Sequence, residues 1–253
     1  MFRLDGKIAV VTGGYGHLGT AFTNALAKAG AIVVVAGRSR KKFEEKFDKT
    51  FGVDFVSMDV SYGGSIRLAF ETVVSKYGKI DLLVNNAFFC SGSKPEDMSV
   101  ADWLHGIEGT LNSAYTCMHF AIPHMKNNSG GNIINISSMY GVDIPDFGVY
   151  NVHKDFFNPP NYGVAKAGII HMTKYYAKYY AKDNIRINCI SPGAFPSKKV
   201  QEHKGFIDKL EANIPMGKIG NPDDLKGLMV FMASDAASYI TGQNIVIDGG
   251  WTL

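Results

Sequence analysis

The chain has 253 residues, 46% of them apolar, which suffices for a sizeable buried core in one large α/β domain or two small ones. Its net charge of +3 is too small and too dispersed to indicate nucleic acid or a membrane as the main partner, which leaves small polar metabolites open. Cys90, Cys117 and Cys189 are widely spaced with no CxxC pair, a pattern that suits reduced thiols better than a disulfide framework or zinc site.

Asp5 and Lys7 interrupt any signal-peptide core, and no apolar run approaches the roughly 18 to 20 residues needed to span a bilayer. A cytoplasmic location is therefore expected. Lys7 to Thr12 reads as a buried strand, Gly13 to Gly19 as a glycine-rich turn, and Leu18 to Gly30 as a helix. Ala31 to Ala36 is a β-branched run that suits a strand covered on both faces. The alternation continues with a strand at Asp54 to Met58, a helix at Ser65 to Tyr77 and a strand at Ile80 to Asn85. A helix across Trp103 to Met125, a strand at Asn132 to Ser137, a helix from Tyr162 to Lys182 and a strand at Ile185 to Ser191 complete it. Repeated βα order predicts a single Rossmann-type, doubly wound parallel sheet with helices on both faces, in one domain over 1–253, with ligands at the carboxyl ends of the strands. Two excursions, 143–161 and 195–216, fall at strand ends and read as substrate loops.

The turn Thr12-Gly13-Gly14-Tyr15-Gly16-His17-Leu18-Gly19 follows a strand and opens a helix. Glycines there let the backbone approach a pyrophosphate, and the helix start supplies free N–H groups and partial positive charge. Gly13, Tyr15, Gly16, His17 and Leu18 are the expected pyrophosphate contacts. The next strand ends in Gly37-Arg38, with no acid to bind a ribose 2′-OH; Arg38 instead suits a 2′-phosphate. NADP(H) is expected, with NAD(H) as the alternative, and Asp59 and Val60 are placed beside the adenine.

Six further segments accompany this turn in order: Asn85-Asn86-Ala87, Asn135-Ile136-Ser137-Ser138, Tyr162-Gly163-Val164-Ala165-Lys166, Asn188-Cys189-Ile190-Ser191-Pro192-Gly193, Ser238 to Gly242, and Asp248-Gly249-Gly250. Together they resemble the short-chain dehydrogenase/reductase family, single-domain branch, over essentially the whole chain. The resemblance implies a nicotinamide-dependent enzyme acting on CH–OH, with Ser138, Tyr162 and Lys166 catalytic. It implies cofactor contacts at Asn86, Ala87, Tyr162, Lys166, Pro192 and Gly193, and a homodimer or homotetramer. Ser138 is expected to hydrogen-bond the substrate oxygen and Lys166 the nicotinamide ribose.

Tyr162 and Lys166 stand four apart, on one face of a helix. At about 4 Å and an effective dielectric near 20, an ammonium stabilises a phenolate by on the order of 4 kcal/mol, which predicts a Tyr162 made acidic by Lys166. Tyr150 and Lys154 share the spacing, but Pro159-Pro160 would break a helix continuing from them, so Tyr150 is assigned to the substrate loop.

Three departures from the family pattern stand out. The glycine turn has the spacing of the extended, epimerase-like branch, Phe88 replaces a glycine, and Thr110 falls where a catalytic Asn is usual, with Asn112 two residues on. The glycine spacing keeps a sugar-nucleotide epimerase or dehydratase as one alternative, and Thr110 with Phe88 keeps an inert NADP-binding regulator as another. Asp143, Asp146, Tyr150, His153, Phe156 and Phe157 are expected over the substrate pocket, which favours a small polar, sugar-like or sugar-acid substrate and leaves a lipid or steroid as the alternative, since the aromatics could equally line an apolar pocket. The histidines lack ligand spacing, so no metal is expected.

Overall fold

The structure, a computed structural model, describes residues 2–47 and 52–253. Seven strands form one parallel sheet: β1 (Ile8–Thr12), β2 (Ile32–Gly37), β3 (Val53–Ser57), β4 (Leu82–Asn85), β5 (Gly131–Ile136), β6 (Ile185–Pro192) and β7 (Asn244–Ile247), in the order β3-β2-β1-β4-β5-β6-β7. The order reverses between β1 and β4, which opens a crevice at their carboxyl ends.

The β-branched runs feed two cores by simple alternation. Ala9, Val11, Val33 and Val35 face one side, where α1 (His17–Lys28) and α9 (Lys226–Ala233) bury Phe22, Leu26, Met229 and Met232. Ile8, Val10, Val34 and Ala36 face the other, against α3 (Gly63–Tyr77), α5 (Ser113–Asn127) and α6 (Pro160–Tyr180). β1 and β2 are apolar on both faces because helices cover both. Short α2 (Arg40–Glu44) follows β2, capped by Ser39, whose Oγ accepts from the Lys42 N–H at 3.3 Å.

Three expected boundaries move. The helix predicted over 103–125 is α4 (Val100–Ile107), a π-helical turn (Glu108–Asn112) and α5. The π turn admits one extra residue where Gly109 and Thr110 pack against Phe89, a tertiary constraint that apolar periodicity does not register. The helix carrying Tyr162 begins at Pro160, whose missing N–H costs nothing in a first turn. The 195–216 excursion contains α7 (Lys198–Gln201) and α8 (Lys204–Asn213). Residues 143–161 run through two 3-10 turns, Phe147–Val152 and Lys154–Phe156, and share a third apolar core with α8.

Candidate active site

The ends of β1 and β4 are tied by Thr12 and Asn86. Thr12 Oγ1 accepts from the Asn86 and Ala87 N–H groups at 3.0 and 2.9 Å, and Asn86 Nδ2 donates to the Thr12 and Gly13 carbonyls at 2.9 and 3.2 Å. Gly13 sits at φ +62°, which favours glycine. A Cβ on Gly14 would lie 2.7 Å from Thr23 Oγ1, and one on Gly19 would run into the Gly13 carbonyl oxygen. The turn is thus a bare backbone cradle at the start of a 12-residue helix.

A cleft of 480 Å³ opens beside this cradle, within the range of about 300–1,000 Å³ usual for small-molecule sites. Its walls include every residue predicted for catalysis or for the cofactor: Gly13, Tyr15, Gly16, His17 and Leu18 at the turn; Arg38, Asp59 and Val60 at the ends of β2 and β3; Asn86 and Ala87 after β4; Ser138, Tyr162 and Lys166; and Pro192 and Gly193 after β6. A dinucleotide fits this donor set, with the cradle at its phosphates and the basic Arg38 at one end.

The side chains hold more than spacing predicts. Tyr15 lies over Gly37 and its hydroxyl accepts from the Ser39 N–H at 3.1 Å. Asp59 accepts from Ser61 N and Oγ at 3.0 and 2.7 Å, which with the nearby Arg38 cation holds its carboxyl below the usual range. His17 Nε2 is 3.1 Å from the Phe195 carbonyl oxygen and bridges the turn to the segment after β6.

At the reacting end, Ser138 caps the turn Met139–Gly141 by accepting from the Tyr140 N–H at 3.1 Å. The α6 backbone is pressed against this turn: a Cβ on Gly141 would fall 2.7 Å from the Lys166 carbonyl carbon, and Ser137 Oγ donates to the Lys166 carbonyl oxygen at 2.8 Å. Lys166 is buried. Its Nζ donates to the Ile136 carbonyl at 2.8 Å and lies 5.5 Å from the Tyr162 ring centroid and 4.9 Å from that of Phe88.

Here the expected electrostatics are overturned. Burial pushes the Tyr162 hydroxyl up to about 12, with Ser138 acting the other way, and burial pushes Lys166 down to about 8. The ammonium sits against ring faces and a carbonyl, so loss of hydration dominates both groups.

Phe88, Phe89, Met58 and Phe195 also line the cleft and were missed from the sequence; the glycine replacement at Phe88 was the available signal. Thr110 is buried, its Oγ1 3.4 Å from the Phe89 carbonyl oxygen, whereas Asn112 faces outward to Glu108 at 2.6 Å. The expected loop residues diverge. Asp143 and Asp146 accept from the nearby Ile144 and Gly148 N–H groups, both at 2.8 Å, while His153 stacks on Phe156 at 4.0 Å beside His203. Both bonds are local, as short carboxylates in turns favour, and Asp143 also lines a 420 Å³ cavity beside Gly163 and Val164.

Fold and cleft together have the form of a dinucleotide-binding α/β enzyme, with a serine, a tyrosine and a lysine gathered at one end of the cleft. Residues 16–252 match the family model described as enoyl-(acyl carrier protein) reductase. The 3-oxoacyl-[acyl-carrier-protein] reductase FabG of Thermotoga maritima is 33% identical over 99% of this chain and 100% of its own length. Among solved structures, the Pseudomonas aeruginosa RhlG/NADP active-site complex superposes with a TM-score of 0.89 at 27% identity, covering 100% of this chain and 98% of that one. A gluconate 5-dehydrogenase from Burkholderia cenocepacia, in complex with NADP and tartrate, gives 0.86 at 28%, over 99% and 97%. The chain belongs to the short-chain dehydrogenase/reductase family and is an NAD(P)-dependent oxidoreductase acting on CH–OH groups.

Proposed function

We propose that the enzyme prefers NADP(H) and interconverts a secondary alcohol and its carbonyl on a small polar, sugar-like or sugar-acid substrate, with Tyr162 as general acid/base. The observation that carries this reading is the convergence of Ser138, Tyr162 and Lys166 on the cleft that also holds the glycine cradle.

Ser138 Oγ accepts from the Tyr140 N–H and its hydroxyl reaches that of Tyr162, so the two side chains can hold one substrate oxygen between them. Tyr162, kept protonated by burial, donates its proton to that oxygen as a carbonyl is reduced; in the reverse direction its phenolate takes the hydroxyl proton. When bound, the nicotinamide cofactor supplies or accepts the hydride. Lys166 spends one N–H on Ile136 and keeps two for the cofactor ribose.

The 2′-phosphate preference rests on exposed Arg38 at the end of a strand that carries no acid, backed by Lys41 and Lys42. NADP and tartrate in the gluconate 5-dehydrogenase structure support a phosphorylated cofactor and a polar substrate. An apolar cavity of 420 Å³ lined by Val142, Ile144, Pro145, Phe147, Phe157 and Val164 favours a second reading, a substrate with a hydrophobic body. The exposed Leu104, Tyr115, Val164, Tyr175 and Tyr179 on α4 to α6 support a homodimer or homotetramer, which light scattering would measure. We assign the enzyme to the cytoplasm; no helix among the described residues is long and apolar enough to cross a membrane.

The test is Tyr162→Phe, assayed with NADP(H) and NAD(H) on a panel of sugar acids, activated sugars and simple ketones. Turnover is expected to fall about 10²- to 10⁴-fold while NADP binding persists. Undiminished redox turnover in the variant would overturn the reading, and isomerisation without net cofactor change would favour an epimerase.

A further inference from the structure

Phe88 stands where the family pattern has a glycine, and the proton and hydride transfers above leave its ring without a task. The backbone on either side is pinned: the Ala87 N–H donates to Thr12 Oγ1 at 2.9 Å and the Phe89 N–H to the Gly109 carbonyl at 3.2 Å. The side chain between these anchors is 51% exposed and lines the cleft. Its ring centre lies 4.9 Å from Lys166 Nζ and 5.6 Å from that of Tyr162. Packing gives so exposed a ring little reason to stay there; the ammonium over its face does.

An ammonium has three N–H groups, and among the described residues the Ile136 carbonyl takes the one conventional bond that Lys166 Nζ makes. On the cleft side it faces the Phe88 ring. An oxygen about 2.8 Å from Nζ on the line to that ring would stand about 2.1 Å from the ring centre, well inside contact distance. We propose that Phe88 is a positioning residue for Lys166 whose ring competes with the cofactor: ring face and nicotinamide ribose are alternative partners of one ammonium, and cofactor binding turns the ring out into water. The pinned backbone leaves rotation about the side-chain bonds as the way out, and the ring already borders solvent. A glycine here offers the lysine no such partner. The apparent affinity for the cofactor is therefore reduced by the fraction of time the ring holds the lysine.

This inference rests on the reading of Lys166 as the holder of the ribose, and its test separates the two. Phe88 would be replaced by 4-fluorophenylalanine and the fluorine resonance followed by NMR. NADP+ is expected to move it to the position of a solvent-exposed ring. Adenosine 2′,5′-bisphosphate, which has no nicotinamide ribose, is expected to leave it in place. By calorimetry, Phe88→Ala should bind NADP+ about 3- to 10-fold more tightly than the wild type, with the bisphosphate unchanged. Phe88→Leu, which has bulk without a π face, is expected to match Phe88→Ala, and Phe88→Tyr to match the wild type. A resonance that NADP+ leaves in place, NADP+ binding in Phe88→Ala no tighter than in the wild type, or a gain shared by the bisphosphate would overturn the proposal. Lys166→Met that binds NADP+ as well as the wild type would overturn the ribose reading and this inference with it. Weakened binding in Lys166→Met beside an unmoved fluorine would overturn this inference alone.

Discussion

The Lys166 ammonium donates to the carbonyl oxygen of Ile136, 2.8 Å away, at the end of the strand that delivers Ser138. This bond fixes the lysine head on the sheet and not on the Tyr162 hydroxyl, and it explains how a cation survives nearly full burial.

Stability should therefore rise with alkalinity in a defined window. Burial lowers Lys166 from 10.5 to about 8, so between those pH values the unfolded chain binds a proton that the folded chain does not, and unfolding becomes harder as pH climbs. The whole window is worth roughly 3 kcal/mol at about 1.4 kcal/mol per pH unit. Urea melts at pH 7, 8 and 9 should show the rise beginning above 8 in the wild type and missing in Lys166→Met; parallel curves would refute the assignment.

Arg38→Ala should raise the KM for NADP+ about 10- to 100-fold, the loss of a charge-assisted contact to the 2′-phosphate, and leave the KM for NAD+ within about twofold. Equal losses for both cofactors would place the 2′-phosphate elsewhere.

Gly19→Ala should cripple nucleotide binding with the sheet intact. Its Cβ would meet Asn86 Nδ2 and the Gly14 Cα at 2.9 Å, besides the Gly13 carbonyl, so the cradle itself must shift. Fluorescence titration with NADPH should show binding weakened at least about tenfold, with an unchanged far-ultraviolet spectrum.

Asn161, buried and adjacent to Tyr162, donates to the Ser91 and Asp102 carbonyls at 2.9 and 2.8 Å and so fastens the start of α6 to the chain after β4 and to α4. Asn161→Ala removes two part-buried hydrogen bonds and should cost about 1–3 kcal/mol in a chemical melt. Turnover should fall with it as Tyr162 loses its seat.

Much of this was legible in the residues. The β-branched runs gave six strands because parallel strands buried on both faces are apolar throughout, and the glycine turn, Arg38 and the Tyr162–Lys166 spacing all line one cleft. Strand β7 escaped because Asn244 to Ile247 is too short to carry a period. The π turn before Ser113 and the raised Tyr162 escaped for a common reason: each is set by what packs from a distance, Phe89 in one case and the dry surroundings of the phenol in the other. The turn bonds of Asp143 and Asp146 were not legible, because a carboxylate suits its neighbours' N–H groups as well as a ligand.

The third core joins two stretches of chain that sequence separates. Phe156 packs against both His203 and Phe206, with ring centroids 5.0 and 4.8 Å apart, so residues 143–161 and helix α8 share one set of aromatic contacts. Neither can swing away without stripping apolar surface from the other, so the two stretches should open as one unit, with amide protons that exchange in concert.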